Sequence, residues 1–219
     1  MDTSATDKVF WREPYRTELE ARVRDVDGAH VVLERTIFYA MSGGQESDRG
    51  TIGGHPVLAA RKDGLRIVYT LPDGHGLRAG ETVEVRIDGG RRLALMRLHF
   101  AAELVLELVT RRHPGIEKIG AHIAEDKARI DFEWPENLAA ELPSIRDEAL
   151  AIVRADPEIV SAFSDEARER RYWQIPGFAQ VPCGGTHLRR AGEVGDLALK
   201  RRNVGRGKER IEIVLASAH

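Results

Sequence analysis

Residues 182–187 read Pro-Cys-Gly-Gly-Thr-His, and they contain the only cysteine of the 219-residue chain. Cys183 and His187 stand four positions apart, separated by two glycines and a threonine. Because paired glycines allow the backbone to turn tightly, the thiolate and the imidazole can converge on one point, as two zinc ligands must. Two ligands alone do not hold a zinc ion, so the fold has to bring further ligands to this loop.

A second pair with the same spacing lies in residues 91–112, which contain neither Gly nor Pro and are predicted to form a long helix. His99 and Glu103 stand one helical turn apart there and therefore share a face of the helix. The predicted metal ligands are accordingly His99, Glu103, Cys183 and His187, and the predicted cofactor is Zn²⁺.

Each pair also has a plainer explanation. Arg92, Met96, His99, Glu103 and Glu107 form one stripe at helical spacing, and taken alone the pair in this helix fits the solvated edge of a mostly buried helix better. A single cysteine is often only a small buried hydrophobe. The metal site is favoured because both pairs carry ligand-type residues at the same spacing in a chain without another cysteine.

Composition limits the compartment and the class of partner. A content of 42% hydrophobic and 31% charged residues is ordinary for a globular protein, and the net charge of −2 argues against bulk nucleic-acid binding but allows a local basic patch. The single cysteine excludes an intramolecular disulfide and fits a reducing compartment. Residues 1–8 lack the apolar region of a signal peptide, and no apolar run approaches the roughly 20 residues of a membrane helix. We therefore expect a cytoplasmic protein without a membrane partner.

The expected fold class is α+β. Residues 1–90 predict a small N-terminal β-barrel domain, because short strands follow one another at close spacing with Gly-rich turns between them. Residues 91–219 predict a second domain of α/β type, in which the long helix packs on an antiparallel sheet. Residues 135–155 predict another helix, with a late start or a kink at Pro143. Ser164 is a candidate N-cap of a further short helix.

Two more features have open interpretations. Thr36, Ser42 and Gln45 belong to a Gly-rich connection, and they fit a turn with satisfied backbone groups better than the wall of a substrate pocket. The stretch from Arg189 to Arg210 has eight basic and three acidic residues. It fits a solvated surface hairpin as well as a phosphate-binding surface.

These stretches together resemble the alanyl-tRNA editing proteins of the AlaX type, which are free-standing relatives of the editing domain of alanyl-tRNA synthetase. The resemblance covers residues 16–216. Four blocks carry it, in this order: Arg35-Thr36-Ile37-Phe38-Tyr39 with Gly43-Gly44-Gln45, Arg91-Arg92 with Met96-Arg97-Leu98-His99, Gly120-Ala121-His122 with Asp126-Lys127-Ala128, and Pro182–His187 with Glu193-Val194-Gly195.

The resemblance implies a zinc-dependent deacylase that hydrolyses the ester between a wrong amino acid and tRNA(Ala). Seryl-tRNA(Ala) would be the main substrate and glycyl-tRNA(Ala) a second one. Water would attack the ester carbonyl at the zinc site, which makes the ligand His99 a catalytic residue as well.

The resemblance also implies roles in substrate binding. Thr36 and Gln45 would select the serine hydroxyl, so they count as catalytic and as substrate-binding residues. The other predicted substrate-binding residues are Ser42, Gly43 and Gly44 of the Gly-rich motif, and Arg201 and Arg202, which would bind the tRNA backbone. The oligomeric state is left open between a monomer and a weak dimer.

The chain departs from the family pattern at three positions. The family's helix motif has histidine where this chain has Glu103, and its Gly-rich motif reads as proline and glycine where this chain has Ala40 and Ser42. Glutamate is a legitimate zinc ligand, but with a thiolate it gives a ligand set that neutralises the metal and weakens it as a Lewis acid. The alternative functions are therefore a non-catalytic protein that binds tRNA or aminoacyl groups, and a deacylase for another aminoacyl-tRNA.

Overall fold

A computed structural model describes residues 4–216 of the protein. The chain forms two compact units. Unit 1 comprises the chain up to Ser42 together with Glu46–Leu93, and unit 2 comprises Gly43–Gln45 together with the chain from Ala94 onward. A domain boundary between residues 90 and 91 stays a prediction.

Strands dominate the described chain. In chain order they are β1 (Asp7–Lys8), β2 (Glu18–Asp27), β3 (His30–Leu33), β4 (Arg35–Thr36), β5 (Gly50–Ile52), β6 (His55–Pro56), β7 (Ala59–Asp63), β8 (Arg66–Thr70), β9 (Thr82–Ile87), β10 (Glu117–Ile123), β11 (Ala128–Glu133), β12 (Val160–Asp165), β13 (Arg170–Ile175), β14 (Ala179–Pro182), β15 (Leu197–Asn203) and β16 (Lys208–Leu215). Within residues 4–216 the α-helices are α1 (Gly89–Arg112) and α2 (Leu142–Ala155), and short 3-10 helices cover Val9–Trp11, Leu138–Ala140 and Ala191–Val194. Neither α-helix of the described chain offers an apolar stretch long enough to cross a bilayer.

Unit 1 contains an antiparallel sheet with the strand order β6-β5-β9-β2-β3-β8-β7, and β1 pairs in parallel with β4. In β2, Leu19, Ala21 and Val23 are buried and alternate with exposed polar residues, which is the period of a half-buried strand. Strands β2 and β3 form a hairpin, and Gly28 supplies the positive φ of +57° that its turn needs. The sheet has β6 and β7 at its two edges among the described residues, so the predicted barrel is not confirmed.

A buried ion pair between Arg92 and Asp48 holds separate segments of unit 1 together. Arg92 donates from Nε to Asp48 over 2.9 Å, and a second guanidinium nitrogen also contacts this carboxylate. The same guanidinium donates to the carbonyl oxygens of Pro14, at 2.8 Å, and Ile37, at 2.6 Å. Asp48 in turn accepts a hydrogen bond from the backbone N–H of Tyr39 at 2.7 Å. One buried arginine therefore fixes three segments of unit 1.

Unit 2 contains two antiparallel sheets, with the strand orders β10-β11-β16-β15 and β12-β13-β14. The part of α1 in this unit is buried on most sides, and Phe100 of the helix packs edge-to-face against Trp173 of β13 with ring centroids 5.2 Å apart. The predicted combination of a long buried helix with an antiparallel sheet is thus present, within a mixed and sheet-rich fold.

Two local predictions concern the start of the second helix at Pro143 and a short helix capped by Ser164. The predicted late start of the second helix is confirmed: α2 begins at Leu142, and Pro143 lies in its first turn, where a missing N–H costs nothing. The predicted short helix at Ser164 is wrong. Ser164 belongs to β12, which pairs with β13, and its hydroxyl donates to the carbonyl oxygen of Arg170 at 3.2 Å. Strand pairing therefore overrides the local capping signal here.

Asp48→Ala is expected to lower the free energy of unfolding by about 3–5 kcal/mol, because it leaves the buried Arg92 guanidinium without its counter-ion. Urea denaturation of the purified variant measures this loss. Asp7→Ala is the matched control, since it breaks an exposed pair with Arg12 and should cost less than about 1 kcal/mol. Equal losses in the two variants would contradict the anchoring role of the buried pair.

Candidate metal centre

Three side chains of unit 2 form a cluster of potential metal ligands. One ligand atom each from His99, Cys183 and His187 lies within 4.8 Å of the others. His99 lies in the middle of α1, whereas Cys183 and His187 lie in the loop that follows β14. Both histidines are 4% exposed, so the cluster is largely shielded from solvent.

The close approach of the loop to the helix depends on Gly185. A Cβ atom at Gly185 would lie 2.2 Å from Cε1 of His99 and 2.9 Å from Oε1 of Gln45, which is far inside van der Waals contact. A Cβ atom at the neighbouring Gly184 would meet nothing within 4 Å. Of the two glycines that the sequence singles out, Gly185 is therefore the one without room for a side chain.

His99 is held so that one nitrogen can act as a ligand. Its Nδ1 lies 3.2 Å from the backbone oxygen of Thr186, and its Nε2 lies 3.4 Å from Sγ of Cys183. Since a carbonyl oxygen only accepts, Nδ1 carries the proton of that hydrogen bond. An outer hydrogen bond of this kind fixes the ring orientation of a metal-ligating histidine.

His187 has a buried nitrogen that lacks a protein partner. Its Nδ1 lies 2.9 Å from the hydroxyl of Ser161, whereas its Nε2 is buried without a hydrogen-bond partner in the part of the chain that the structure describes. Burial, and then the charges of His99 and Arg171, hold the pKa of His187 well below its usual value. Neutral imidazole with a bare nitrogen is the form that binds metals, so this residue fits a metal ligand.

Glu103 lies at the edge of the cluster. Its Oε1 is 3.6 Å from Nε2 of His99 and 3.9 Å from Sγ of Cys183, and its Oε2 accepts a hydrogen bond of 3.1 Å from the indole of Trp173. Burial opposes ionisation of this carboxyl, but His99 and Trp173 outweigh it and lower the pKa of Glu103. The side chain is therefore a carboxylate next to the cluster and not part of a solvated helix edge.

The side chains next to His99 alter the pKa of its imidazole. Burial opposes the charge, but Cys183 and Glu103 outweigh it and raise the pKa of His99 well above its usual value. Metal ligands must be deprotonated, so a metal ion at this site would compete with a proton for His99.

Gln45 joins the Gly-rich motif to the cysteine loop. Its amide nitrogen donates to Oγ1 of Thr186 at 2.9 Å, and its amide oxygen accepts from the backbone N–H of Thr186 at 3.3 Å. Gly44 approaches the neighbouring strand closely, because a Cβ atom there would lie 2.6 Å from the oxygen of Ala121. Gly43 is exposed and has a φ of +61°. The structure thus brings Gln45 next to the ligand loop.

The other two polar residues of the motif region belong to unit 1. The hydroxyl of Thr36 bonds to the hydroxyl of Tyr69 at 2.8 Å and accepts from the N–H of Phe38 at 3.0 Å. Because Tyr69 donates its own proton to the oxygen of Phe38, Thr36 is the donor toward Tyr69. Ser42 is half-buried, and its carbonyl oxygen accepts from the hydroxyl of Tyr39 at 3.0 Å. The substrate roles of Thr36 and Ser42 stay predictions.

The basic side chains of the β15–β16 hairpin differ in whether an acidic residue already balances their charge. Arg201 binds both carboxylate oxygens of the buried Glu209, at 2.7 and 2.5 Å, so its charge is already balanced. Arg202 pairs with Glu212 at 3.1 Å but is largely exposed. The exposed cations of this hairpin that have no ion pair within residues 4–216 are Lys200, Arg206 and Lys208.

Three residues of the site were missed by sequence reasoning. Thr186 lies between Cys183 and His187 in sequence, and this position could have marked it as a residue of the site. Its hydroxyl binds the amide of Gln45. Ser161 and Trp173 give no such signal, because each acts through a hydrogen bond from a strand to a ligand that is distant in sequence.

Comparison with known proteins identifies relatives that match the chain almost from end to end, although no protein-family model matches it. An alanyl-tRNA editing protein AlaX-M of Pyrococcus horikoshii is 34% identical, over 96% of this chain and 98% of its own length. An AlaX-M protein of Methanosarcina barkeri is 31% identical, over 96% and 99%. The alanine–tRNA ligase of Methanopyrus kandleri is 33% identical over 97% of this chain and 26% of the ligase.

Gly185→Ala is expected to weaken metal binding by about ten-fold or more, because the new methyl group forces His99 or the loop away from the cluster. Gly184→Ala is the matched control and should bind the metal as the unaltered protein does. Calorimetric titration with zinc in the presence of a competing chelator measures both affinities. The close-approach argument fails if both alanine variants keep their affinity.

Proposed function

Because the chain belongs to the AlaX-M family of alanyl-tRNA editing proteins, we propose that it is a hydrolase that deacylates mischarged tRNA(Ala) in trans. The observation that carries this proposal is the near end-to-end match to free-standing proteins of that name. A buried cluster of metal-ligand side chains in unit 2 supports a hydrolytic chemistry.

The proposed cofactor is zinc, held by His99, Cys183, His187 and Glu103. Two imidazoles, a thiolate and a carboxylate suit zinc better than a hard cation such as magnesium. When bound, zinc would act as a Lewis acid toward the ester carbonyl and lower the pKa of a bound water. With Glu103 as fourth ligand the set carries two negative charges, which balances the ion and moderates its acidity.

The chain's own groups support hydrolysis by holding the ligands in place. The backbone oxygen of Thr186 and the hydroxyl of Ser161 orient the two imidazoles. Gln45 holds the loop through both ends of its amide. Burial keeps bulk water out, which strengthens electrostatic interactions with a developing oxyanion.

The proposed substrates are tRNA(Ala) charged with serine and, secondarily, with glycine. Pocket size alone discriminates poorly among such small side chains, so a separate hydrolytic check is useful. Thr36 and Gln45 are proposed to select the serine hydroxyl, with Ser42 as a further hydroxyl in the motif. For Thr36 this requires an exchange of partner, because its proton is donated to Tyr69.

The proposed partner surface for the tRNA backbone is the exposed side of the β15–β16 hairpin. Arg202 and the unpaired cations Lys200, Arg206 and Lys208 have charges available for phosphates. Arg201 is also proposed to contact the tRNA backbone, but to contribute less to binding, because Glu209 already balances the charge of its guanidinium. Reversing the charge of Arg201 would mainly place a second carboxylate beside a buried one.

The purified protein is expected to carry about one zinc per chain and to deacylate Ser-tRNA(Ala) fastest, Gly-tRNA(Ala) more slowly and Ala-tRNA(Ala) least. A chelator should abolish the activity, and added zinc should restore it. Elemental analysis and release of labelled amino acid measure the two properties. Tight tRNA binding without hydrolysis would instead support the non-catalytic alternative, and preference for another aminoacyl-tRNA would support the other deacylase.

Lys200→Ala combined with Lys208→Ala is expected to weaken tRNA binding and to reduce the slope of log affinity against log salt. The reduction should be about 0.7–0.9 for each phosphate that the variant no longer neutralises. The matched control removes two exposed cations of β7, Arg61 and Lys62, which lie in unit 1. Filter binding across a salt series gives both slopes. An unchanged slope in the hairpin variant would identify the hairpin as an ordinary solvated surface.

A further inference from the structure

The carboxylate of Glu103 is shared between two environments. One oxygen, Oε1, faces Nε2 of His99 and Sγ of Cys183, while the other, Oε2, accepts the N–H of Trp173. We infer that Trp173 is a positioning residue, which orients Glu103 as a ligand of the zinc ion. Its hydrogen bond also makes a carboxylate a better ligand than an imidazole at position 103. This inference rests on the zinc site of the proposed function.

Trp173 is held rigidly enough to orient another side chain. It is fully buried, it packs edge-to-face against Phe100, and it lies in β13, the middle strand of its sheet. Its hydrogen bond to Glu103 therefore starts from a fixed point on the sheet. A carboxylate bound at one oxygen by a rigid donor presents its second oxygen in a restricted direction.

The same sheet orients a second ligand from a neighbouring position. Ser161 of β12 is the direct cross-strand partner of Trp173, and directly paired residues point to the same face of a sheet. Ser161 binds His187, while Trp173 binds Glu103. Two adjacent positions on one face of the sheet thus hold one member of the cluster, His187, and the carboxylate at its edge, Glu103. Core packing alone would require neither hydrogen bond.

The polarity of the hydrogen bond decides which ligand suits position 103. An indole N–H can only donate, and an ionised carboxylate can only accept, so Trp173 and Glu103 match. A histidine that ligates through one nitrogen carries a proton on the other, so it would direct an N–H toward the indole N–H. Glu103→His would then leave a buried donor without an acceptor, which is unfavourable although histidine is itself a good zinc ligand.

A double-mutant cycle on zinc affinity tests this inference. Trp173→Phe in the chain with Glu103 should weaken zinc binding by about 10–100-fold, as the loss of an outer-shell partner does. Trp173→Phe in the Glu103→His background should cause no such loss and should improve binding, because it removes the conflict between two donors. Zinc itself is the probe, titrated against a competing chelator.

A purely structural role of Trp173 predicts a different result. Loss of packing weakens zinc binding equally in both backgrounds, and such equality would overturn the inference. Phe100→Leu is the matched control: it disturbs the same ring contact but keeps the indole N–H, so its effect on zinc binding should be the same in both backgrounds.

A metal-free measurement separates this inference from the proposed function. The indole N–H resonance of Trp173, assigned by its absence in Trp173→Phe, should shift upfield and exchange faster in Glu103→Ala than in the unaltered chain. An unchanged resonance overturns the positioning role whether or not the protein deacylates tRNA. A shifted resonance in a protein without deacylase activity leaves the positioning role standing and removes only the proposed function.

Discussion

Unit 2 has to accommodate two buried imidazoles next to the side chains of Cys183 and Glu103. The rings of His99 and His187 stack with centroids 5.2 Å apart, so a positive charge on one ring opposes a positive charge on the other. Their pKa values accordingly move in opposite directions, upward for His99 and downward for His187. Polar groups in a medium of low dielectric are costly unless each finds a partner, and a divalent cation would supply a partner for Nε2 of His187, which is buried without one in the described residues. The fold around the cluster is best understood as the set of contacts that keeps these groups close before any cation binds.

Those contacts come from a helix, a loop and a sheet, and each of these elements has a different role. The helix α1 supplies His99 and Glu103 from a rigid spacing of one turn, and the loop supplies Cys183 and His187 from a short, glycine-containing turn. The sheet β12-β13-β14 supplies no side chain to the cluster but holds His187 and Glu103 by hydrogen bonds from adjacent cross-strand positions. Because a slip of one residue turns every side chain of a strand to the other face, the register of this sheet is as important to the cluster as the ligands themselves.

The cluster of His99, Cys183 and His187, with Glu103 at its edge, could be predicted from sequence because its signal is local: two pairs at the same short spacing, one in a glycine turn and one in a helix without breakers. Their role as metal ligands stays a prediction. The outer contacts could not be predicted, because they depend on which strands pair. The capping signal at Ser164 predicts a short helix that begins at the end of β12, whereas the chain there turns back into β13, and no signal marks the strand that carries Ser161. The barrel expected in unit 1 is not confirmed, and the reason is similar. Closure of a sheet into a barrel depends on pairing between its edge strands, which no local sequence pattern specifies. Likewise, the sequence counts Arg201 as an available cation, whereas its cross-strand Glu209 neutralises it.

The position of Gln45 indicates that it acts on the cysteine loop as well as in the proposed selection of the substrate. The residue is 1% exposed and both ends of its amide bind Thr186, so its first effect is on the loop that carries Cys183 and His187. A Gln45 variant with lower activity would therefore say nothing by itself about contact with the amino acid of the substrate. A selecting residue changes the ratio of kcat/KM between serine and glycine substrates at constant metal affinity, whereas a residue that positions the loop changes the metal affinity and lowers both rates together. The geometry of Gln45 favours the second behaviour, because its bonds to Thr186 act on the loop before any substrate arrives.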